Sequence, residues 1–237
     1  MHQQPHSPVS GGAHPPGEPH PRAPASAIVL AGGVGRRFGG DKLAVELDGR
    51  PLLHHAILAV AAVAREVIVV VAPDAPAPPL PADAGVPIRV ARDAVAGQGP
   101  LAGLAAGLAQ AREPFAIVVG GDQPALRPGL LGALVAELEA NVSDVPDAPG
   151  PAIDAVVLVD AGRPWPLPAA LRVEAAGPAT AAALALGRRS LLSALDHLRT
   201  LSLEPARWRP LDPDGASLRD VDHREDLPPP AGPDLAG

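Results

Sequence analysis

The chain has 237 residues, 47% of them hydrophobic and 19% charged, enough to bury a full-sized core and too apolar for a disordered protein. It has no cysteine, which excludes a disulfide framework, a thiolate zinc site and a cysteine nucleophile. A formal charge of −7, no tyrosine and 2% aromatic residues argue against a broad phosphate-gripping surface or a base-stacking platform, so nucleic acid is not an expected partner, while a local basic pocket for a small anion is still allowed.

Residues 1–25 are rich in proline and histidine and read as a disordered tail, and residues 228–237 as a second, flexible one. Between them residues 26–227 form a single expected domain. The opening stretch lacks a basic leader and an apolar core, so no secretory signal is expected and the cytoplasm is the default compartment. No apolar run reaches the ~18 residues that span a bilayer, and no membrane association is expected.

Ala27 to Leu30 is a short apolar run that ends at Gly32-Gly33, the pattern of a buried first strand opening into a loop. After Pro51, the apolar residues Leu52, Leu53, Ala56, Ile57, Val60 and Val63 recur at helical spacing, with proline in the tolerated first turn. Glu66 to Ala72 (EVIVVVA) predicts a strand buried on both faces, Pro73 to Pro87 a surface loop and Ile88 to Ala91 a third strand. Leu101 to Ala111 predicts a helix, Phe115 to Val119 a fourth strand and Pro128 to Ala140 another helix. Further on, Asn141 to Ala152 reads as a loop, Ile153 to Val159 as a strand, and Ala169 to Ala176 and Leu191 to Leu198 as helices. The βαβα alternation predicts a parallel sheet covered by helices, with ligands beyond the carboxyl ends of its strands.

The most informative stretch, Leu30 to Lys42 (LAGGVGRRFGGDK), directly follows the first strand. Glycines at 32, 33, 35, 39 and 40 let the main chain approach a ligand closely, and successive amides in such a loop suit phosphate oxygens. Arg36, Arg37 and Lys42 add the cations a triphosphate requires. The spacing is not the dinucleotide G-x-G-x-x-G pattern, because Phe38 takes the place of the last glycine. Nor is it a Walker loop, because Asp41 precedes Lys42 and no Ser or Thr follows. Lys42 is the sole lysine in a chain that otherwise uses arginine, which points to a need for a compact ammonium rather than a planar fork.

This stretch, the LDGRPLL that follows, Gly99-Pro-Leu-Ala-Gly103, the GGDQP around Asp122, and Asp220-Val-Asp222 with Glu225-Asp226-Leu227 together resemble the molybdenum cofactor guanylyltransferases of the nucleotidyltransferase superfamily. The resemblance covers about residues 26–227. It implies a Rossmann-like doubly wound, mostly parallel sheet with helices on both faces, as in the nucleotide-diphospho-sugar transferases. The implied reaction is transfer of GMP from GTP to the phosphate of molybdopterin or the molybdenum cofactor, with Mg2+ and release of pyrophosphate. Transient contact with proteins that deliver or accept the cofactor also follows from it.

Residue by residue, the resemblance assigns Leu30, Ala31, Gly32, Gly33, Gly35, Arg36, Lys42, Asp93, Gly99, Pro100, Leu101 and Asp122 to the nucleotide. Lys42, Arg37 and Asp122 fall to the reacting phosphates, and Asp122 and Asp222 to the metal. Asp122 follows a buried strand and is thereby delivered to the ligand edge of a parallel sheet, where a hard cation can bridge phosphate oxygens. Competing structural readings exist: Asp122 as a cap before the helix at Pro128, Asp222 as a cap for the turn around Glu225, Asp93 as a turn closer, and Trp165 as a filler of a hydrophobic gap, a reading favoured over one in which it packs on a planar pterin. His54 and His55 are adjacent rather than helix-spaced and are not expected to serve catalysis.

The chain departs from the family pattern at Arg163-Pro-Trp165-Pro-Leu167, where Gln or His commonly precedes Pro-Leu, and at His223-Arg224, where Thr-Pro is common. Val70 and Val71 fall near a position where some members carry asparagine. Three alternatives therefore stand beside the guanylyl reading: a cytidylyltransferase for the same cofactor, a nucleotidyltransferase for another small phosphorylated acceptor, and a non-catalytic nucleotide-binding protein.

Overall fold

The computed structural model describes residues 22–32, 42–93, 97–141 and 152–226. Residues 1–21 of the expected amino-terminal tail, the expected carboxyl-terminal tail and most of the glycine-rich loop, including Gly33, Gly35, Arg36 and Arg37, lie outside the described residues, as does most of the loop expected at 141–152. The last residues expected as tail belong instead to the folded domain, because the Ala23 amide donates to Val63 O (2.8 Å) and Ala25 is fully buried at the start of the first strand.

Strand β1 (Ala25–Leu30) leads to a short 3-10 turn at Lys42–Ala44 and a small antiparallel hairpin, β2 (Glu46–Leu47) with β3 (Arg50–Pro51). Helix α1 (Leu52–Ala61), β4 (Glu66–Val71), β5 (Ile88–Arg92), α2 (Pro100–Leu108), β6 (Phe115–Gly120) and α3 (Pro128–Ala140) follow close to their predicted positions. The second half comprises β7 (Ala155–Asp160), β8 (Arg163–Arg172), α4 (Val173–Ala185), α5 (Leu192–Leu195), β9 (Thr200–Leu203) and α6 (Pro205–Trp208).

One sheet carries the order β5-β4-β1-β6-β8-β7-β9. Strands β5, β4, β1 and β6 pair in parallel, β8 runs antiparallel to both β6 and β7, and β9 is parallel to β7. The fold is the expected α/β arrangement with a mostly parallel sheet. From β1 the chain moves outward through β4 and β5, then returns to place β6 on the other side of β1. The strand order therefore reverses between β1 and β6, and a crevice opens there at their carboxyl ends.

Period-two alternation sorts each strand onto two helical layers. Ala27, Val29, Val67, Val69, Ile117 and Val119 join α1 and α3 in one buried cluster, while Ile28, Ile68, Val70, Ala116 and Val118 face α2 and α4 in the other.

Two expectations fail in the second half. Ala169–Arg172 is strand rather than helix, because Phe115–Val118 of β6 and Ala155–Val157 of β7 flank it and satisfy its main chain from both sides. Within it Ala170 packs into one core cluster and Leu171 into the other, so tertiary pairing overrides alanine's helical preference. The predicted helix Leu191–Leu198 shrinks to the single turn of α5.

At the amino end of the sheet, buried Glu66 accepts hydrogen bonds from Ser26 Oγ (2.7 Å), Arg89 (2.7 Å) and the Arg112 amide (3.0 Å). Burial pushes its carboxyl up, but these hydrogen bonds outweigh that and hold it below the ordinary glutamate value. Its contribution to stability is thus present above its unfolded pKa and lost as pH falls through the depressed folded value. Glu66→Ala strands these donors, so chemical denaturation at pH 7 should show a loss of about 2 kcal/mol. The gap to the parent should shrink as the pH drops below the glutamate range.

Candidate active site

Lys42, Asp122 and Asp222 meet at the crevice between β1 and β6, brought there by three separate stretches of chain. Lys42 opens the 3-10 turn after β1, and its ammonium donates to Asp122 Oδ2 at 2.7 Å and Asp222 Oδ1 at 3.0 Å. The lysine side chain is 15% exposed and that of Asp222 52%, so the pair forms the floor and rim of an open site. Burial alone would lower the Lys42 pKa, but the hydrogen bonds and charges of Asp122 and then Asp222 raise it above the usual lysine value. Lys42 is therefore a fixed positive charge.

Asp122 stands two residues beyond β6. The Gly121 amide donates to Leu30 O (2.9 Å), tying this turn to the end of β1. Gly120 leaves room for the carboxylate: a Cβ there would run into Asp122 Oδ1. The residue before α3 is Arg127, with no side-chain cap, so Asp122 is not spent on helix capping. In the turn that follows Asp222, the Asp226 carboxylate accepts from the amides of Asp222 (3.0 Å) and His223 (2.6 Å).

A third carboxylate, Asp220, completes the cluster: one oxygen from each of Asp122, Asp220 and Asp222 lies within 4.8 Å of the others. Only Asp122 and Asp222 were expected as metal ligands. The available signal was the spacing, since in an extended segment residues i and i+2 share a face, and here buried Val221 points inward between them. Burial and the negative charges of Asp122 and Asp222 raise the Asp220 pKa. Three carboxylates against one ammonium leave net negative charge, and an all-oxygen donor set in a chain without cysteine suits a hard divalent cation.

Leu30, Ala31 and Gly32 lie at the same edge, the Ala31 amide donating to Val70 O (2.8 Å). Asp93 follows β5, its amide donating to Val71 O (2.9 Å). Helix α2 starts at Pro100 after Gly99, whose φ of +79° favours glycine and whose Cβ would lie 2.9 Å from Arg189 O. The Leu101 amide donates to that Arg189 carbonyl (3.2 Å) and its side chain is buried, so Leu101 packs in the core beneath the turn. Gly103 brings α2 against Leu30.

The tryptophans reverse the expectation. Trp208 is the fully buried one, with Nε1 donating to Val159 O (2.9 Å), whereas Trp165 is 38% exposed on β8. It therefore does not fill a core gap. Antiparallel pairing of β7 and β8 carries Arg163 to Trp165 to the carboxyl edge of the sheet. His54 and His55 hydrogen-bond to Pro79 O (3.0 Å) and Leu47 O (2.8 Å), as scaffold residues do.

The profile of the MobA-like NTP transferase domain family matches residues 27–200. A probable molybdenum cofactor guanylyltransferase of Chloroflexus aggregans is 32% identical over 206 residues, covering 85% of this chain and 91% of the relative. A probable molybdenum cofactor guanylyltransferase of Natronomonas pharaonis is 31% identical over 213 residues, covering 85% and 94%. Among solved structures, molybdopterin-guanine dinucleotide biosynthesis protein A of Archaeoglobus fulgidus superposes with a TM-score of 0.66 at 23% identity, covering 85% of this chain and 94% of that one. The 2-C-methyl-D-erythritol 4-phosphate cytidylyltransferase of Thermus thermophilus gives 0.55 at 20%, covering 84% and 94%, so the fold is shared more widely than the substrate.

Ionised Asp220 opposes folding, because a raised folded pKa means stability that is present below the unfolded value and lost as pH rises through the folded one. Asp220→Asn should therefore melt above the parent at pH 7 without divalent metal. The two curves should converge below about pH 3.8, the ordinary aspartate value. With Mg2+ added, the parent should gain more than the variant; calorimetry in each buffer checks both signs.

Proposed function

The chain belongs to the MobA-like NTP transferase family, and from that premise we propose that it transfers GMP from GTP to the terminal phosphate of molybdopterin or the molybdenum cofactor, releasing pyrophosphate. The observation that carries this reading is the ammonium of Lys42 held between Asp122 and Asp222 at the strand-order reversal. It is a charge positioned to leave its carboxylates for a phosphate chain.

In this mechanism an oxygen of the acceptor phosphate attacks the α-phosphorus of the nucleotide, and the bond to the oxygen bridging α- and β-phosphorus breaks. The acceptor is already anionic near neutral pH, so no side-chain nucleophile is required and positioning carries the rate. Asp122, Asp220 and Asp222 would hold Mg2+, which when bound supplies charge neutralisation at phosphate oxygens. Lys42, together with Arg37, stabilises the departing pyrophosphate. The amides of Gly32, Gly33 and Gly35, with Arg36, would cradle the triphosphate, the Leu30 and Ala31 main chain forming the strand end beside it, with the Ala31 amide held by Val70 O. The Gly99–Pro100 turn and Asp93 face the base, whose N1 and N2 donors a carboxylate can accept.

On this reading residues 26–227 are the catalytic unit and work in the cytoplasm, with GTP and the pterin phosphate as substrates. Proteins that hand over or take up the cofactor would make transient contact with it. The edge carrying Trp165 lies on the acceptor side.

Thermal shift in Mg2+ tests the nucleotide. GTP at a hundred times Kd should add about 2.7 kcal/mol of stability, and an equal or larger shift with CTP would overturn the guanylyl assignment. Lys42→Ala should cut pyrophosphate release by two or more orders of magnitude with folding intact, whereas Asp122→Asn should chiefly weaken Mg2+-dependent nucleotide binding. Removal of residues 1–21, which spares Arg22 and Ala23 and their hydrogen bonds to Ala61 O and Val63 O, should leave pyrophosphate release with molybdopterin at the full-length level, and a collapse would show that the segment belongs to the working domain.

A further inference from the structure

The three carboxylates come from two stretches nearly a hundred positions apart in sequence, and beside the Lys42 ammonium a buried amide side chain spans the gap between them. Gln123, 3% exposed, accepts from the Gly120 amide through Oε1 at 2.7 Å and donates through Nε2 to the main-chain carbonyl of Ser217 at 3.0 Å. One end of the amide thus grips the turn that presents Asp122, and the other grips the segment that presents Asp220 and Asp222.

That segment is itself rigid. Asp212, with no exposed surface, accepts from the amides of Ala216 (3.0 Å) and Ser217 (2.8 Å). Ser217 Oγ accepts from the Arg127 amide at 3.0 Å, and the Val221 amide donates to the carbonyl of Asp122 at 2.9 Å. Without the glutamine the turn at Asp122 itself would be tied to the second stretch by the Val221 main-chain bond and by Lys42, which the mechanism requires to move, the remaining links running through Arg127, five residues farther along.

We propose that Gln123 is a positioning residue that sets the spacing of the Asp122, Asp220 and Asp222 carboxylates, and with it the metal affinity of the site. It touches neither metal nor substrate. Its amide is needed for having a donor and an acceptor at opposite ends, a property that leucine lacks entirely and glutamate lacks at the Ser217 end. The role rests on the nucleotidyltransferase reading for its consequence but on the protein hydrogen bonds for its existence, so two kinds of measurement separate them.

The test compares full-length protein with Gln123→Glu and Gln123→Leu. Loss of a residue orienting metal ligands typically weakens metal affinity tenfold or more. Mn2+ titration followed by electron paramagnetic resonance should therefore show a Kd about tenfold higher in both variants. The metal concentration for half-maximal pyrophosphate release should rise in parallel, with the KM for GTP at saturating metal unchanged. A merely structural defect would lower the active fraction and leave both metal dependences in place, which would overturn the proposal. Hydrogen exchange supplies the second arm: the amides of Ser217 to Asp222 should exchange faster in Gln123→Glu at a temperature where the protein is folded, and unaltered exchange would overturn the clamp. Should Gln123→Leu fail to fold, Gln123→Glu decides alone. A parent protein that binds no Mn2+ and releases no pyrophosphate would refute the nucleotidyltransferase reading instead, and the exchange arm would still support or overturn the clamp.

Discussion

Three carboxylate oxygens within 4.8 Å of one another repel strongly unless positive charge lies among them. Among the described residues the positive charge in contact with them is the Lys42 ammonium, bound to two of the three. Burial first, and then the charges of Asp122 and Asp222, raise the Asp220 pKa, whereas burial would lower that of Lys42 and the hydrogen bonds and charges of the same two carboxylates raise it instead. A cluster of oxygen donors of this kind is chemically suited to a hard divalent cation.

Such a cluster survives only on a frame stiff enough to hold it. The sheet provides the first layer of that frame, since β1 and β6 pair over their whole length and end together where the strand order reverses. The second layer is the buried polar relay through Asp212, Ser217 and Gln123, in which each group has a partner. A relay satisfied throughout specifies a single geometry, because any slip leaves a buried donor or acceptor unpaired. Stability near the cluster is thereby given up for charge density, and recovered in the two apolar layers that flank the sheet.

The two parts of this sheet edge differ in build, and on the proposed reading the first faces the nucleotide and the second the acceptor. Near the end of β1 lie strand ends and the turns at Gly99 and Gly121, whereas the edge of β7 and β8 presents the side chains of Arg163 and part-exposed Trp165. Main-chain cradles suit the invariant geometry of a triphosphate, and side chains on an edge suit recognition of a particular acceptor. Of the departures from the family pattern, Arg163-Pro-Trp165 lies on that side-chain edge, whereas His223 directly follows Asp222 of the carboxylate cluster.

Much of the first half was legible in the sequence because its signals are local. A run such as EVIVVV is a buried strand in nearly any context, and proline followed by apolar residues at helical spacing starts α1 and α3 as expected. Lys42, alone of its kind beside a glycine loop, and Asp122 beyond a buried strand were legible for the same reason. Tertiary structure decided what depends on distant partners. Ala169–Arg172 became strand because two neighbours offered hydrogen bonds, and Trp208 rather than Trp165 was buried because packing, not residue type, chose between them. Asp220 and Gln123 acquire their importance only when the chain near residue 220 folds back onto the end of β6, since proximity between such distant positions leaves no periodicity for a local pattern to reveal.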